Sequence, residues 1–397
     1  MFYDIKAIQK EIKNLKIPPE YFNIPLEDIF KNDFTILLSI REDSGKTSSA
    51  LLFGMVLYKL YGTTCEYLRN DKNQVTKGKI ETLYKTVKSF GYIEKCFGSR
   101  WNDVIYKSQV KKFYLAKRDS DGIIIEEDTE PLCVVHSTEE AESYKSSYSN
   151  PKGDYIVLDE MFDSGRSPYK LWTDLMTAIS TIGRPGSRGR EDRCFCLMLG
   201  NNSNMYSQWF DDFCISEQIP DLRYGSVIRW ETALGTTGTC RLLEISERQK
   251  EKIKNRRIRF FGFPTKKAAQ FIGTAEWSGK SYPHPDSTMD YHRKQYDRLF
   301  ILHRDRYIQL ELYKYEESYK VLAHFSRKPM LDDNIIMTLF PGDKRGEVYG
   351  YGQYQDNERV KKVISTFFRL KNENRWLYAS NLVGEVIDDY QKSVDKI

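Results

Sequence analysis

The sequence predicts an α/β fold with a mostly parallel central sheet flanked by helices, followed by a smaller α+β domain. Strand-like runs that are apolar almost throughout, among them FTILLSI, YIVL and CFCLML, alternate with helical stretches. Such runs are typical of parallel sheets covered on both faces. The chain has 397 residues, which favours two domains. Alternating polar and apolar residues over 296–328 predict a β-meander in the second domain.

Periodicity and turn residues place the elements along the chain. A strand over 34–40 precedes the triplet Gly-Lys-Thr and a long helix, and TTCEYLRND gives a short strand. A helix is predicted over 78–97, and three strands over 111–137. Next come a strand at YIVL, a helix over 167–182 and a strand at CFCLMLGNN. Two helical stretches, 343–370 and 378–394, follow the meander.

Composition sets limits on the class of protein. No run approaches the roughly 18 apolar residues of a membrane span. The N-terminus MFYDIKAIQKEIKNLK lacks the apolar core of a signal peptide. The seven cysteines are scattered, without the spacing of a metal site or a disulfide framework. We therefore expect reduced thiols and no membrane partner.

The stretch SIREDSGKTSSA has the order of a phosphate-binding loop between a strand and a helix. Backbone amides and the helix N-terminus would hold phosphate oxygens, the lysine would reach the β- and γ-phosphates, and the hydroxyl would bind Mg²⁺. The candidate ATP-binding residues are Arg41, Ser44, Gly45, Lys46, Thr47 and Ser48, with Thr47 also a metal ligand. Gly-Lys-Thr alone is a weak signal, since it also arises by chance.

A second motif strengthens this interpretation. The strand YIVL delivers Asp159 and Glu160 to its end, about a hundred residues after the loop. Asp159 would hold Mg²⁺ and Glu160 would polarise the attacking water. Asn201, at the end of a neighbouring strand, could sense the γ-phosphate. The alternative for the two carboxylates is an ordinary acidic strand end.

The loop departs from the usual pattern, because Ser39 or Ile40 takes the place of its first glycine, and Glu42 and Asp43 lie inside it. Two interpretations remain open. The acids face basic residues of a neighbouring subunit, or the loop binds nucleotide weakly until that neighbour docks.

Positive charge concentrates in SERQKEKIKNRRIRF, whereas the whole chain carries a net charge of only +5. Such a run is either a solvated helix face or a surface for nucleic-acid phosphates. On the second interpretation the DNA-binding residues are Lys252, Lys254, Arg256, Arg257 and Arg259.

Four blocks together resemble the genome-packaging ATPase of small protein-primed tailed phages (the picovirus type), within the terminase large-subunit-like class. The blocks are SIREDSGKTSSA, EYLRND, ESYKSSYSNPKGDYIVLDEMF and LMTAISTIGRPGSRGREDRCFCLMLGNN. The match is imperfect, with one extra residue between Arg41 and Gly45 and with Asn70 in place of a second arginine. It spans most of 35–270. The resemblance implies a P-loop NTPase of the ASCE class that hydrolyses ATP with Mg²⁺.

That family works as a ring, with ATP between subunits, and the resemblance implies the same here. By position, Arg184 matches the arginine finger supplied in trans, with Arg188 and Arg190 as rivals in the same turn. The alternative is an ordinary solvated turn, since charged turns are usually exposed. Lys145 matches a second lysine that faces the neighbour's nucleotide. The implied partners are double-stranded DNA, further copies in a ring expected to be a pentamer, a portal or connector, and a packaging RNA. The implied location is the host cytoplasm, docked transiently at the procapsid.

Large terminases carry an RNase-H-like nuclease after the ATPase domain, with carboxylates around two metal ions. The acids of the C-terminal part do not lie mid-strand in apolar surroundings, and RYIQLELYK offers Gln309 and Glu311 instead. We therefore expect an RNase-H-like domain that binds DNA or RNA without nuclease activity, with an active nuclease as the alternative. The expected division is an ATPase domain over 1–237, a basic linker over 238–265 and the second domain over 266–397.

The resulting hypothesis is a viral DNA-packaging motor ATPase that translocates double-stranded DNA into a procapsid. Two alternatives stay open on sequence alone. One is a helicase or recombination-type P-loop ATPase, which would share Lys46, Asp159 and Glu160. The other is a nucleic-acid-binding protein with a degenerate phosphate loop.

Overall fold

The computed structural model divides the described residues into two units, one up to residue 243 and one from residue 282. It describes residues 3–17, 24–39, 45–145, 148, 150, 152–162, 168–182, 194–201, 207–223, 225–233, 235–243, 282–285, 295–303, 306–315, 318–329, 334–339, 347–349 and 353–394. Within them, no helix is long and apolar enough to cross a membrane.

The first unit alternates strands and helices along the chain. Its helices are α1 (Ile5–Asn14), α2 (Leu26–Ile29), α3 (Lys46–Tyr61), α4 (Lys77–Ile80), α5 (Lys85–Ser89), α6 (Tyr92–Phe97), α7 (Ala141–Tyr144), α8 (Pro168–Ile182) and α9 (Gln208–Asp212). Its strands are β1 (Phe34–Ser39), β2 (Cys65–Arg69), β3 (Asp103–Lys107), β4 (Lys112–Arg118), β5 (Ile124–Glu127), β6 (Cys133–Ser137), β7 (Tyr155–Leu158), β8 (Phe195–Asn201), β9 (Val227–Glu231) and β10 (Thr237–Leu242).

All ten strands form one sheet in the order β3-β4-β6-β2-β7-β8-β1-β10-β9, with β5 paired to β4. The run from β6 to β10 is parallel throughout, and antiparallel strands flank it on both sides. The prediction of a mostly parallel sheet is confirmed. Strand β8 lies between β1, which precedes Gly-Lys-Thr, and β7, which precedes Asp-Glu.

Both faces of the sheet carry an apolar core, as near-continuous apolar strands predict. In β1, Leu37 joins the cluster that contains Phe53 of α3, whereas Ile36 and Leu38 join the cluster that contains Leu175 of α8. Helices therefore cover both sides and fix the ends of the central strands in space.

One predicted helix is broken in the structure. The stretch 78–97 forms parts of α4, α5 and α6 instead of one helix. Gly91 adopts the left-handed conformation, with φ of 65°, directly before α6. A residue in that conformation ends a right-handed helix, and glycine adopts it at little cost.

The predicted boundary at residue 237 is also wrong for its first residues. Residues 238–242 were assigned to the linker, but they belong to β10, which pairs in parallel with β1 along five residues. Backbone hydrogen bonds to a central strand make them part of the ATPase sheet. The rest of the predicted linker, 244–265, lies outside the described residues, so its role stays a prediction.

The second unit is built on a smaller sheet. Its elements are β11 (Gln295–His303), β12 (Arg306–Tyr315), β13 (Ser318–Ser326), β14 (Ile335–Thr338), β15 (Glu347–Tyr349), α10 (Glu358–Asn372), β16 (Trp376–Tyr378) and α11 (Asn381–Val394). The strand order is β15-β14-β11-β12-β13-β16, with β11, β12 and β13 antiparallel and β14 and β15 parallel to β11. The meander is confirmed, whereas the RNase-H-like character of this domain stays a prediction.

The helix predicted over 343–370 is shorter than expected. Among the described residues of this stretch, the α-helix begins at Glu358 and continues to Asn372, Gln353–Asp356 forms a short 3-10 helix, and Glu347–Tyr349 forms the strand β15. Three glycines, Gly346, Gly350 and Gly352, weaken any helix over this stretch, and Val348 can pair with β14 instead.

Glu311 and His324 form a polar pair on the meander, with 3.6 Å between Oε1 and Nε2. The hydrogen bond to Glu311 raises the pKa of His324 from its ordinary 6.5, against the opposing effect of burial. Burial alone would raise the pKa of Glu311, but hydrogen bonds from His324, Tyr313 and Gln309 outweigh it and lower that pKa.

We predict that His324 titrates above pH 6.5 in the folded chain and that Glu311→Gln brings its pKa back towards the ordinary value. The stabilisation from protonated His324 is therefore complete below pH 6.5 and lost as the pH rises through the raised pKa. An NMR titration of the five histidines measures this, with His324→Gln to assign the signal. A pKa at or below 6.5 would contradict the pairing.

Candidate nucleotide site

Gly45 and Lys46 lie where β1 passes into α3. Gly45 has φ of 74° and immediately precedes the first helical residue, so the backbone here suits glycine. The buried Lys46 Nζ donates hydrogen bonds to Ser39 Oγ and, over 2.9 Å, to Asn201 Oδ1. Ser39 and Asn201 are register partners at the ends of β1 and β8. The ends of two adjacent strands thus hold the lysine amine in place.

Thr47 and Asp159 meet at the start of the same helix. Thr47 Oγ1 donates to Asp159 Oδ2 over 2.9 Å, and Tyr67 Oη donates to the same oxygen over 2.7 Å. Burial, and then the charge of Asp159, raise the pKa of Tyr67, so its hydroxyl stays a donor. The hydroxyl and carboxylate expected to bind Mg²⁺ are therefore brought together by the fold.

Glu160 occupies a constrained turn directly after Asp159. Its φ is 55°, in the left-handed region that residues other than glycine seldom adopt. The next carbonyl, that of Met161, accepts hydrogen bonds from Asn70 Nδ2 over 3.0 Å and from Trp209 Nε1 over 2.8 Å. These two buried donors hold the turn, while the Glu160 side chain remains 45% exposed. The carboxylate can therefore reach a ligand at the sheet edge.

Arg69, at the end of β2, contacts both carboxylates. One guanidinium nitrogen lies 3.2 Å from Asp159 Oδ2, another pairs with Glu160 Oε2, and Nε donates to Tyr67 Oη over 2.8 Å. Burial alone would lower the pKa of Arg69, but Tyr67 and the two carboxylates outweigh it and raise that pKa. In this structure, the carboxylate expected to polarise water is thus held by a cation of its own subunit.

The sequence pattern places Arg69 at the end of a short strand, in the block EYLRND, but predicts no role for it. An arginine at the end of a strand could have indicated a role, since the other site residues also lie at strand ends. That position becomes informative only in the structure, where β2 lies beside β7. Asn70, which replaces an arginine of the resembled family, is buried and holds the Met161 turn.

The remaining predicted residues fall into two groups. Ser48 lies half-buried in the first turn of α3, and Lys145 lies exposed directly after α7, with its Nζ 3.6 Å from Glu142. Several predicted residues lie outside the described ones: Arg41, Ser44, Arg184, Arg188, Arg190, Lys252, Lys254, Arg256, Arg257 and Arg259. Their roles stay predictions.

The described residues fit a nucleotide with Mg²⁺. A helix N-terminus preceded by a left-handed glycine is an anion-binding element, and Lys46 adds a buried cation beside it. Thr47 and Asp159 offer the hard oxygens that Mg²⁺ prefers. Within the part of the chain that the structure covers, no group of three or more His, Cys, Asp or Glu residues could hold a metal ion.

No protein-family model and no curated protein matches the chain. Among solved structures, it is similar to a chain of the bacteriophage Phi-29 viral genome packaging motor assembly, at 13% identity and a TM-score of 0.59, covering 94% of this chain and 99% of that one. It is also similar to the Phi-28 gp11 DNA packaging motor, at 16% identity and a TM-score of 0.53, covering 95% and 99%. The resemblance predicted from the four blocks is confirmed at the level of fold.

Proposed function

We propose that the chain is a viral DNA-packaging motor ATPase, which hydrolyses ATP in a homo-oligomeric ring to move double-stranded DNA into a procapsid. The observation that carries this proposal is the meeting of Lys46, Thr47, Asp159 and Glu160 at one sheet edge. They meet in a chain that shares the fold of two phage packaging-motor proteins over nearly its whole length.

Each residue has a distinct role in this proposal. Lys46 binds the β- and γ-phosphates, Thr47 and Asp159 hold Mg²⁺, and Glu160 orients and polarises the attacking water. Mg²⁺, when bound, neutralises charge that develops on the phosphate oxygens. Asn201 senses the γ-phosphate, because its side chain already contacts Lys46. Arg41, Ser44, Gly45 and Ser48 complete the phosphate loop.

A neighbouring subunit completes the site. Arg184 supplies a cation to the transferring phosphate in trans, and Lys145 of the same subunit faces that nucleotide. The exposure of Lys145 supports this role, since its amine can reach a partner. The sequence resemblance favours a pentameric ring that docks on a portal or connector, together with a packaging RNA, in the host cytoplasm.

The test is ATP hydrolysis by the purified full chain, with and without double-stranded DNA, in Mg²⁺ and in EDTA. We expect Mg²⁺-dependent turnover that DNA stimulates, and displacement of a third strand from a triplex as the protein moves along duplex. Separation of a forked duplex would favour a helicase instead. DNA binding without turnover would favour a degenerate phosphate loop.

DNA binding is predicted to depend on the basic run and to fall steeply with salt. Alanine at Arg256, Arg257 and Arg259 should weaken binding equally for all sequences, because phosphate contacts carry no base information. Three lost phosphate contacts should reduce the slope of log affinity against log salt by about 2 to 3. Fluorescence anisotropy at several salt concentrations measures both quantities.

The matched control removes three exposed cations of α1, with alanine at Lys6, Lys10 and Lys13. It makes the same change in net charge outside the proposed surface, so its slope should stay close to that of the parent chain. Equal slopes for the parent and the Arg256, Arg257 and Arg259 variant would count against the basic run as the DNA surface.

A further inference from the structure

Glu66, on β2, is a fully buried carboxylate that the proposed chemistry does not use. Three side chains contact it from outside its own strand. Tyr148 Oη lies 2.6 Å and Asn150 Nδ2 2.5 Å from Glu66 Oε1, and His136 Nε2 lies 2.9 Å from Glu66 Oε2. A buried carboxylate is costly unless such partners satisfy it. The three contacts therefore form one interdependent cluster.

Two of the three partners belong to the segment that joins α7 to β7. This segment begins with Lys145 and includes Tyr148 and Asn150. Burial, and then Glu66, raise the pKa of Tyr148, which keeps its hydroxyl a donor to the carboxylate. The Tyr148 ring also packs edge-on against His136, with 4.7 Å between centroids. Glu66 thus anchors the segment a few residues after the exposed lysine.

The backbone beyond Asn150 is fitted closely over the same carboxylate. A Cβ at Gly153 would lie 2.5 Å from Glu66 Oε1, so a side chain there would displace the cluster. The amide of Thr64 also donates to the carbonyl of Lys152 over 2.8 Å. Glycine at 153 and this backbone bond let Lys152 and Gly153 lie directly against β2.

The two faces of strand β2 therefore contact two different groups of residues. Tyr67 and Arg69 contact the carboxylates of the subunit's own site, whereas Glu66, on the opposite face, contacts the Lys145 segment. Burial on both sides holds the strand, so Glu66 is a firm anchor for Tyr148 and Asn150.

We propose that Glu66 is a positioning residue for Lys145. By holding Tyr148 and Asn150, it fixes the segment from which Lys145 reaches the nucleotide of the neighbouring subunit. This inference rests on the proposed function, in which Lys145 acts in trans. Misplacing a reacting cation by about 1 Å can cost up to a hundredfold in rate. Glu66→Gln, which keeps the shape and removes the charge, should therefore lower ATP turnover by about tenfold to a hundredfold.

Mixed assemblies separate positioning from mere stabilisation. Glu66→Gln subunits keep a complete phosphate loop, so mixing them with Lys46→Ala subunits should restore part of the activity at mixed interfaces. Mixing them with Lys145→Ala subunits should not, because both variants lack the same trans contribution. Adding Glu66→Gln to Lys145→Ala should lower turnover no further, and the affinity of single subunits for a fluorescent ATP analogue should stay unchanged.

Two further variants, Tyr148→Phe and Glu130→Gln, serve as controls. Tyr148→Phe removes one contact from the segment side and should repeat the pattern if Glu66→Gln fails to fold. Glu130→Gln, whose carboxylate pairs with Lys152 at 3.1 Å on the exposed side, should leave turnover near that of the parent chain.

The outcomes distinguish this inference from the proposed function. Full turnover in both Glu66→Gln and Tyr148→Phe, with turnover reduced but measurable in Lys145→Ala, would overturn the positioning role alone. Further loss on combining Glu66→Gln with Lys145→Ala would also overturn it. Near-normal turnover in Lys145→Ala would instead remove the trans lysine from the proposed function.

Discussion

Alanine at Lys46 or at Asp159 is expected to abolish Mg²⁺-dependent ATP hydrolysis. Lys46 is the buried cation at the start of α3, and the ends of β1 and β8 hold its amine. Asp159 is the carboxylate that Thr47 contacts, and it would anchor the ion. No neighbour can replace either group, so we expect turnover to fall by at least about a hundredfold. A coupled phosphate-release assay with DNA present measures this.

Glu160→Gln completes the same experiment. It should still bind ATP, because only the activation of water is removed, while turnover falls to the level of the Lys46 variant. Lys59→Ala, on the far turn of α3 and paired with Glu11 at the surface, is the matched control and should hydrolyse ATP normally. Near-normal turnover in Glu160→Gln would sink its assignment as the catalytic carboxylate.

Mixtures of two inactive variants are expected to regain activity if Arg184 acts in trans. Lys46→Ala subunits keep Arg184, and Arg184→Ala subunits keep their phosphate loop. Each alone should be inactive, since a trans arginine contributes about 10³ to 10⁵ in rate. In a mixture, some interfaces combine a complete phosphate loop with a complete arginine, and those should turn over. Titrating one variant into the other measures the recovery.

The rival arginines are tested in the same way. If Arg188→Ala or Arg190→Ala complements Lys46→Ala while Arg184→Ala does not, the finger is misassigned but the shared site stands. Inactive mixtures throughout would mean that the arginine acts within its own subunit. The proposal that ATP binds at subunit interfaces would then have to be abandoned.

The apolar strands made the central sheet predictable, because parallel strands covered on both faces read as continuous apolar runs. The site followed from the same reasoning, since Asp159, Glu160 and Asn201 each lie at a strand end. Arg69 could not be assigned, because its contacts depend on β2 lying beside β7, a pairing between residues about ninety positions apart. The break at Gly91 was missed because the apolar spacing continued across it.

The role of Glu66 was equally hidden, for a related reason. A glutamate in a strand reads as a surface residue, and only the folded chain shows it fully buried against Tyr148 and Asn150. Sequence spacing indicates which residues share an element, but partners from other elements decide whether a charge is buried. The parts of the site that could not be predicted from the sequence depend on such contacts between residues far apart in the chain.

The ion pair between Arg69 and Glu160 has a consequence for the rate of ATP hydrolysis in single subunits. A carboxylate paired with an arginine is poorly placed to polarise water, so subunits in this arrangement should hydrolyse ATP slowly even when it is abundant. On the proposed function, this ion pair would act as a brake built into each subunit, which keeps hydrolysis slow until DNA and a neighbouring subunit draw Glu160 away.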